Sequence, residues 1–283
     1  MCTVSHQKVS KKLISMQEKV AKPFLRWAGG KRWLKKEISD LITINKYENY
    51  HEPFIGGGAI LFHLKPKKAF ISDSNKELID TYLAIKEDPI TIIEKLKEFK
   101  KDKESYYKIR SEFFDNRFDK AAKFIFLNQL SFNGIYRVNA NGGYNVPYGN
   151  RDHFQFDFEN ILLVSDFLKN VTIKHCDFEE SLNNIKMGDL VFLDPPYTIA
   201  HNLNGFVQYN QKIFSLEDQY RLSQAINKIK EKDAFYILTN AAHAKVKEIF
   251  NKNDTIKEIS RVSVVGGKNS LRGQYSEYLF TNL

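Results

Sequence analysis

Two kinds of apolar pattern alternate along the chain. Short apolar runs that stop at a Gly, Pro or Asp loop read as strands, and apolar residues three or four apart read as helices. "PFLRWAGGKRWLKKEISDLI" gives a loop, a Gly-Gly turn and a helix from about Lys31, while "NYHEPFIGGGAILFHL" and "KAFISDSNKELIDTYLAIK" each give strand, loop, helix. This repetition argues for a parallel α/β sheet. From about residue 76 to 132 the periodicity turns helical, in "ITIIEKLKEFKK", "SYYKIRSEFF" and "KAAKFIFLNQL". In "NGIYRVNANGGYNVPYGN", Asn141-Gly142-Gly143 separates two short β-like runs, which predicts a hairpin or looped arm. The α/β pattern returns near residue 170 with "NVTIKHCDF", "DLVFLDPPY" and "DAFYILTN", and the chain closes on two antiparallel strands around a Gly/Lys/Arg-rich loop. The expected architecture is an open α/β sheet domain over 21–75 and 169–283, interrupted by a helical insert over 76–168 that carries a β-hairpin arm. Residues 1–20 have no core pattern and read as a tail.

Composition narrows the setting. No apolar run approaches the roughly 20 residues a membrane helix needs, and the polar, basic start offers no secretory signal. Cys2 and Cys176 are the only cysteines, too few for a disulfide framework or a cysteine zinc site, so a reducing cytoplasmic setting is expected. The net charge is +9, and residues 1–36 hold ten Lys/Arg against one acid, Glu18. Such a local excess is the footprint of a polyanion partner, or a solubilising tail.

In an open parallel sheet, ligands bind at the carboxyl ends of strands. Four such ends carry informative residues. Gly56 and Gly58 of "EPFIGGGA" permit a tight turn and close approach to a ligand, or serve the turn alone. Asp73, after "AFIS", suits ribose hydroxyls, or caps the helix starting near Asn75. Asp177-Phe178, after "VTIKH", could accept from an adenine amine and cover the ring, or act as helix cap and core aromatic. Asp194-Pro195-Pro196-Tyr197 follows the apolar run "LVFL". The prolines lack the N–H a ladder needs and stop the strand. A planar amine is a poor nucleophile because its lone pair is delocalised into the ring. A carboxylate and a proline-fixed carbonyl can accept its two N–H bonds and favour a pyramidal nitrogen, while Tyr197 stacks on the base. A sulfonium methyl donor would carry the reactivity, with no metal.

Taken together, "FLRWAGGK" (24–31), "EPFIGGGA" (52–59), "SDSN" (72–75), "NGIYRVN…YNVPYG" (133–149) and "DPPY" (194–197) resemble the Dam-type, D12 class of DNA adenine-N6 methyltransferases. These motifs occur in order and span nearly the whole chain after residue 22. The resemblance implies a Rossmann-like S-adenosylmethionine-dependent methyltransferase sheet with an inserted target-recognition domain. It implies that Trp27 and Lys31 contact the cofactor, Lys31 at its carboxylate. Phe54, Gly56 and Gly58 would line the methionine portion, Asp73 the ribose, and Asp177 with Phe178 the adenine. Asp194 would touch both cofactor and target amine, with Pro195, Pro196 and Tyr197 completing the catalytic tetrad. Phe132 and Asn133 would enter the DNA stack beside the flipped base, and Arg137 would read guanine. Arg26, Ile135, Pro147 and Arg151 would lie against the DNA. Arginine suits bidentate contact with guanine O6 and N7, and a wedge such as Phe132 lowers the cost of the gap a flipped base leaves. From its residue type alone, Phe132 would be a core residue at a helix end.

Two features depart from the familiar GATC-reading members. They continue past "VPYG" with an Arg-Tyr pair where this chain has Asn150-Arg151, and the loop "TIAHNLNGFVQYN" is similar instead to restriction–modification relatives with other sites. Adenine in duplex DNA is therefore the expected target and GATC one candidate sequence, with a cognate restriction endonuclease as a possible separate partner and a monomer as the expected state. A cytosine-N4 methyltransferase would use the same amine chemistry. A protein glutamine methyltransferase typically carries Asn in place of Asp194. A non-catalytic DNA-binding module need not bind S-adenosylmethionine, and "FIGGGA" is not the nicotinamide dinucleotide fingerprint.

Overall fold

The computed structural model describes residues 19–44, 46–139, 141–197, 214–262 and 274–283. Most of the basic tail, residues 198–213 with the sequence TIAHNLNGFVQYNQKI, and the Gly/Lys/Arg-rich residues 263–273 lie outside these. Strands β1 (Tyr50–Glu52), β2 (Ala69–Asp73), β3 (Val171–His175), β4 (Leu190–Leu193), β5 (Phe235–Ala241), β6 (Thr255–Val262) and β7 (Gln274–Thr281) form one sheet in the order β3-β2-β1-β4-β5-β7-β6. The first five run parallel, and β7 lies antiparallel to both β5 and β6. The uninterrupted apolar run of β4 is buried throughout, as expected of a parallel strand covered on both faces. β1 is equally buried despite its polar sequence, and each of its side chains makes at least one polar contact. Tyr50 donates to Glu52 Oε2 at 2.7 Å, and His51 Nε2 lies 2.9 Å from Asp189 Oδ2.

In chain order the helices are α1 (Lys35–Ile44), α2 (Leu61–Leu64), α3 (Lys76–Glu87), α4 (Pro89–Glu98), α5 (Lys103–Ser111), α6 (Arg117–Leu130), α7 (Phe158–Leu168), α8 (Phe178–Ser181), α9 (Leu216–Glu231) and α10 (Ala244–Phe250). Their starts are written in the sequence. Asp88 with Pro89, Asp102, Asn116 and Asp157 each accept a first-turn N–H of α4, α5, α6 and α7. Ser215 and Asp218 form a reciprocal capping box on α9.

The chain divides into two compact units. The sheet unit comprises Gly29–Tyr82 and Asn170–Leu283, and the helical unit comprises Leu83–Lys169 with the described residues 19–28. In the sheet unit, Leu222, Ile226 and Ile229 of α9 pack with Val191, Leu193 and Leu238 of the central strands. In the helical unit, α6 carries the core, with Ala122, Ile125, Phe126 and Leu130 buried. The segment expected as a β-hairpin forms no strand among the described residues. Two isolated bridges, Ser131↔Tyr148 and Val138↔Tyr144, close it into a looped arm. Asn139 Oδ1 accepts from Asn141 N and Gly143 N at 3.0 and 2.9 Å. This side chain thus takes up the amides of the Asn-Gly-Gly turn, an Asx arrangement that competes with ladder pairing.

Candidate active site

The order of the strands reverses between β1 and β4, which pair in parallel with His51 opposite Val191. The carboxyl ends of these two strands therefore flank the crevice where open α/β sheets take their ligands. At the end of β1 the chain turns through Gly56 and Gly58, both at positive φ. A Cβ at Gly58 would stand 2.9 Å from both Phe62 Cε2 and Tyr82 Oη, so glycine is required there for packing as well as conformation. Tyr82 fixes the turn by donating to Gly56 O at 3.1 Å. Asp73, at the end of β2, ties the two ends together. Its Oδ2 accepts from Gly56 N at 3.1 Å and its Oδ1 from Asn75 N at 3.0 Å. Asn75 takes the N–H of Leu78 in the first turn of α3. Burial pushes the Asp73 carboxyl above its usual range, with the backbone N–H groups pulling the other way.

At the end of β4, Asp194 Oδ1 lies 2.8 Å from Lys31 Nζ and accepts from Thr239 Oγ1 at 2.8 Å. Lys31 Nζ also donates to Gly29 O at 3.0 Å, stands 3.7 Å from Glu277 Oε2, and lies 4.7 Å from the centre of the Tyr197 ring. The Tyr197 hydroxyl donates to Glu277 Oε2. Four residues from three separate stretches thus form one cluster: Lys31, Asp194, Tyr197 and Glu277. Burial raises the Asp194 carboxyl above its ordinary range, and the Lys31 ammonium opposes that rise. Glu52 is raised well above its ordinary value, again by burial, with Tyr50 opposing and the charges of Asp194 and Asp73 adding to the rise. The site is a largely buried group of acids, with the Lys31 ammonium as the one lysine among the described residues there.

Glu277, Thr239 and Glu52 were not singled out by sequence reasoning. Glu277 is 3% exposed, and its same-face neighbours on β7, Leu279 and Thr281, are buried too. A lone acid at an inward strand position is the signal that could have found it.

Asp177 caps α8, accepting from Glu179 N at 2.9 Å. Phe178 is 5% exposed and packs on Phe54 at 5.5 Å and Phe214 at 5.8 Å between ring centroids. Both structural alternatives for this pair are therefore realised, while the Asp177 carboxylate still faces solvent with a side-chain exposure of 48%.

The remaining residues lie in the helical unit. Trp27 stacks on Tyr136 at 5.8 Å. Asn128, fully buried in α6, clasps the backbone of Arg26 from both sides: its Oδ1 accepts from Arg26 N at 2.8 Å and its Nδ2 donates to Arg26 O at 2.7 Å. The guanidinium groups of Arg26 and Arg151 turn to the carboxyl end of α6. Arg26 Nη1 donates to Ser131 O at 2.9 Å and Arg151 Nη1 to Gln129 O at 2.6 Å, where cations complement the helix terminus. These contacts brace the turn that follows. Asn133 and Gly134 both have positive φ, and a Cβ at Gly134 would fall 2.3 Å from Arg26 Cβ. Phe132 N donates to Pro147 O at 2.9 Å, and Tyr144 OH to Ile135 O at 2.9 Å. The side chain of Phe132 is not core: the residue is 51% exposed. Arg137 is exposed as well, with Nε donating to Asn145 Oδ1 at 2.8 Å.

Residues 27–265 match the family of D12 class N6 adenine-specific DNA methyltransferases. The chain belongs to that family. The type II methyltransferase M1.LlaDCHI of Lactococcus lactis subsp. cremoris is 38% identical over 272 residues, covering 92% of this chain and 95% of that protein. The type II methyltransferase M.MjaIII of Methanocaldococcus jannaschii is 38% identical over 78% of this chain and 84% of its own. The DNA adenine methylase of Vibrio cholerae serotype O1 is 27% identical over 78% of this chain and 82% of its own. A D12 class enzyme methylates adenine at N6 in DNA, and this is the activity of the chain. Neither cytosine-N4 methylation nor a purely binding role is favoured. Among the described residues no helix is long and apolar enough to cross a membrane.

Proposed function

We propose that the chain is a site-specific enzyme of a type II restriction–modification system or a Dam-like marking activity. It transfers a methyl group from S-adenosylmethionine to N6 of an adenine flipped out of duplex DNA. The observation that carries the residue-level reading is the set of largely buried acids at the strand-order reversal, two of them facing Lys31. Glu52, Asp73, Asp194 and Glu277 stand against the single ammonium of Lys31 among the described residues there. Such a surplus of carboxylate suits a ligand that brings a sulfonium and an α-ammonium. When bound, S-adenosylmethionine supplies a methyl group already activated by its sulfonium.

In this reading Lys31 meets the cofactor carboxylate, and Phe54, Gly56 and Gly58 form the floor beneath the methionine portion. Asp73 offers the remaining lone pairs of its carboxylate to ribose hydroxyls. Asp177 accepts from the cofactor's adenine amine beside Phe178. Asp194 and a carbonyl held by Pro195-Pro196 accept the two N–H bonds of the target amine, and the Tyr197 ring stacks on the base. The helical unit is the target-recognition insert. Phe132 and Asn133 occupy the gap left by the flipped base, Arg137 reads a guanine edge, and Ile135 and Pro147 lie along the DNA with Arg26 and Arg151. Trp27 is assigned to the cofactor on the family resemblance. The enzyme acts as a cytoplasmic monomer, with any cognate endonuclease a separate protein.

The test is product identity. The chain is incubated with isotopically labelled S-adenosylmethionine and duplex DNA, and the digested nucleosides are resolved by mass spectrometry. N6-methyladenine is expected, and sequencing of the modified DNA then gives the site. Label in N4-methylcytosine would overturn the target, and cofactor binding without label in DNA would overturn the substrate.

A further inference from the structure

Arg221 of α9 meets three carboxylates at once. Its Nη1 lies 2.8 Å from Asp218 Oδ1, its Nη2 2.9 Å from Asp177 Oδ1, and its Nε 3.3 Å from Glu179 Oε1. Its guanidinium carbon stands 4.8 Å from the centre of the Phe178 ring. Asp218 is itself fixed by the α9 capping box: Ser215 N and Oγ donate to its Oδ2 at 2.7 and 2.9 Å, and its own N–H donates to Ser215 Oγ at 3.1 Å. A chain of contacts therefore runs from the start of α9 to the end of β3.

Asp177 spends one oxygen on this network. Oδ1 accepts from both Arg221 Nη2 and Glu179 N, each at 2.9 Å, and Oδ2 makes no bond among the described residues. Exposed ion pairs taken singly contribute little. Here one planar fork serves three acids, so a single ordering cost is shared, and the fork geometry fixes direction as well as distance. Without Arg221, the Asp177 side chain would be held by one backbone N–H alone.

We infer that Arg221 is a positioning residue that aims the second oxygen of Asp177 at the adenine amine of the methyl donor. The inference rests on the assignment of Asp177 proposed above. It concerns cofactor recognition only and is measured without DNA.

Binding of S-adenosylmethionine to the full chain is followed by calorimetry for the wild type, Asp177→Ala, Arg221→Gln, Arg221→Lys and the Asp177→Ala/Arg221→Gln double variant. A second ligand replaces the adenine amine with a carbonyl oxygen, which removes the donor Asp177 accepts from. Arg221→Gln is expected to weaken S-adenosylmethionine about tenfold, the scale of one hydrogen bond to a charged group. It should leave the carbonyl analogue unaffected and add no further loss in the Asp177→Ala background. Arg221→Lys should behave like Arg221→Gln, because an ammonium cannot fork between three acids. Unchanged or tighter binding in Arg221→Gln, or an equal loss for both ligands, overturns the positioning role while Asp177→Ala still binds poorly. Wild-type affinity in Asp177→Ala is a different failure, since it removes the assignment of Asp177 itself.

Discussion

Lys31 and Asp194, 163 positions apart in the sequence, form a largely buried ion pair with Nζ 2.8 Å from Oδ1. Breaking a buried pair by removing one partner costs about 3–5 kcal/mol, unless the abandoned acid takes up a proton. In the proposed reading, Asp194 must be ionised to accept the target amine fully. Its carboxyl already sits above the ordinary range because burial outweighs Lys31, and loss of the ammonium moves it higher. In the proposed reading, methyl transfer by Lys31→Met therefore loses activity on the acid side at a higher pH than wild type. The pH profile of kcat checks this, and an acid limb that stays in place would separate Lys31 from the state of Asp194.

Glu52 gives a stability prediction of opposite sign to the usual carboxylate. Its folded value is raised well above the unfolded one, chiefly by burial, so the folded state binds more protons over that window. Stability then falls as pH rises from about 4.3, the ordinary glutamate value, through the raised folded one. Glu52→Gln keeps an acceptor for the Tyr50 hydroxyl and removes the ionisation. It should raise the ligand-free Tm at pH 8 by roughly 2–4 °C per kcal/mol recovered, and the gain should shrink toward pH 5. Melts of both proteins across that range test it; a pH-independent difference would count against the ionisation.

Phe132 is exposed on a braced turn, so its truncation should leave stability within about 0.5 kcal/mol. As a wedge, it should matter only once DNA is bound. Phe132→Ala is expected to lower kcat/KM by roughly ten- to a hundredfold, which corresponds to about 1.4–2.8 kcal/mol, and to reduce the fluorescence rise of 2-aminopurine at the target position. A full fluorescence change in the variant would remove Phe132 from flipping.

Arg137 has its guanidinium at the surface, tied to Asn145 Oδ1. If it reads guanine, Arg137→Ala should relax preference at one G·C pair by about 1–3 kcal/mol while leaving the other positions of the site unchanged. Sequencing of methylated random-site libraries measures this directly. A uniform loss at every position would instead mark a phosphate contact.

Much of the fold could be read from the sequence because its signals are local. The glycine turn after β1, the prolines that stop β4, and the Asp, Asn and Ser caps act within a few residues of themselves. The helical stretch between 76 and 132 was visible from periodicity alone. The β-hairpin was the weakest of these expectations, because Asn139 can satisfy the turn amides with its own side chain, and sequence pattern does not weigh that against ladder pairing. Phe132 shows the same limit: a Phe at a helix end reads as core until the turn's exposure is known.

The sequence by itself determined the family motifs, Asp194 to Tyr197 among them, and the order of the elements, since each depends on residue type and spacing along one strand or loop. Only the tertiary structure decided which charges meet. Glu277 from the last strand receives the Tyr197 hydroxyl, Lys31 from the first loop pairs with Asp194, and Arg221 from α9 binds Asp177. Such pairings span 44 to 163 positions of chain. The contacts of Lys31 and Glu277 arise because strand order places distant carboxyl ends side by side, where burial makes an unpartnered polar group costly, and the exposed Arg221 pair arises because α9 packs beside the end of β3.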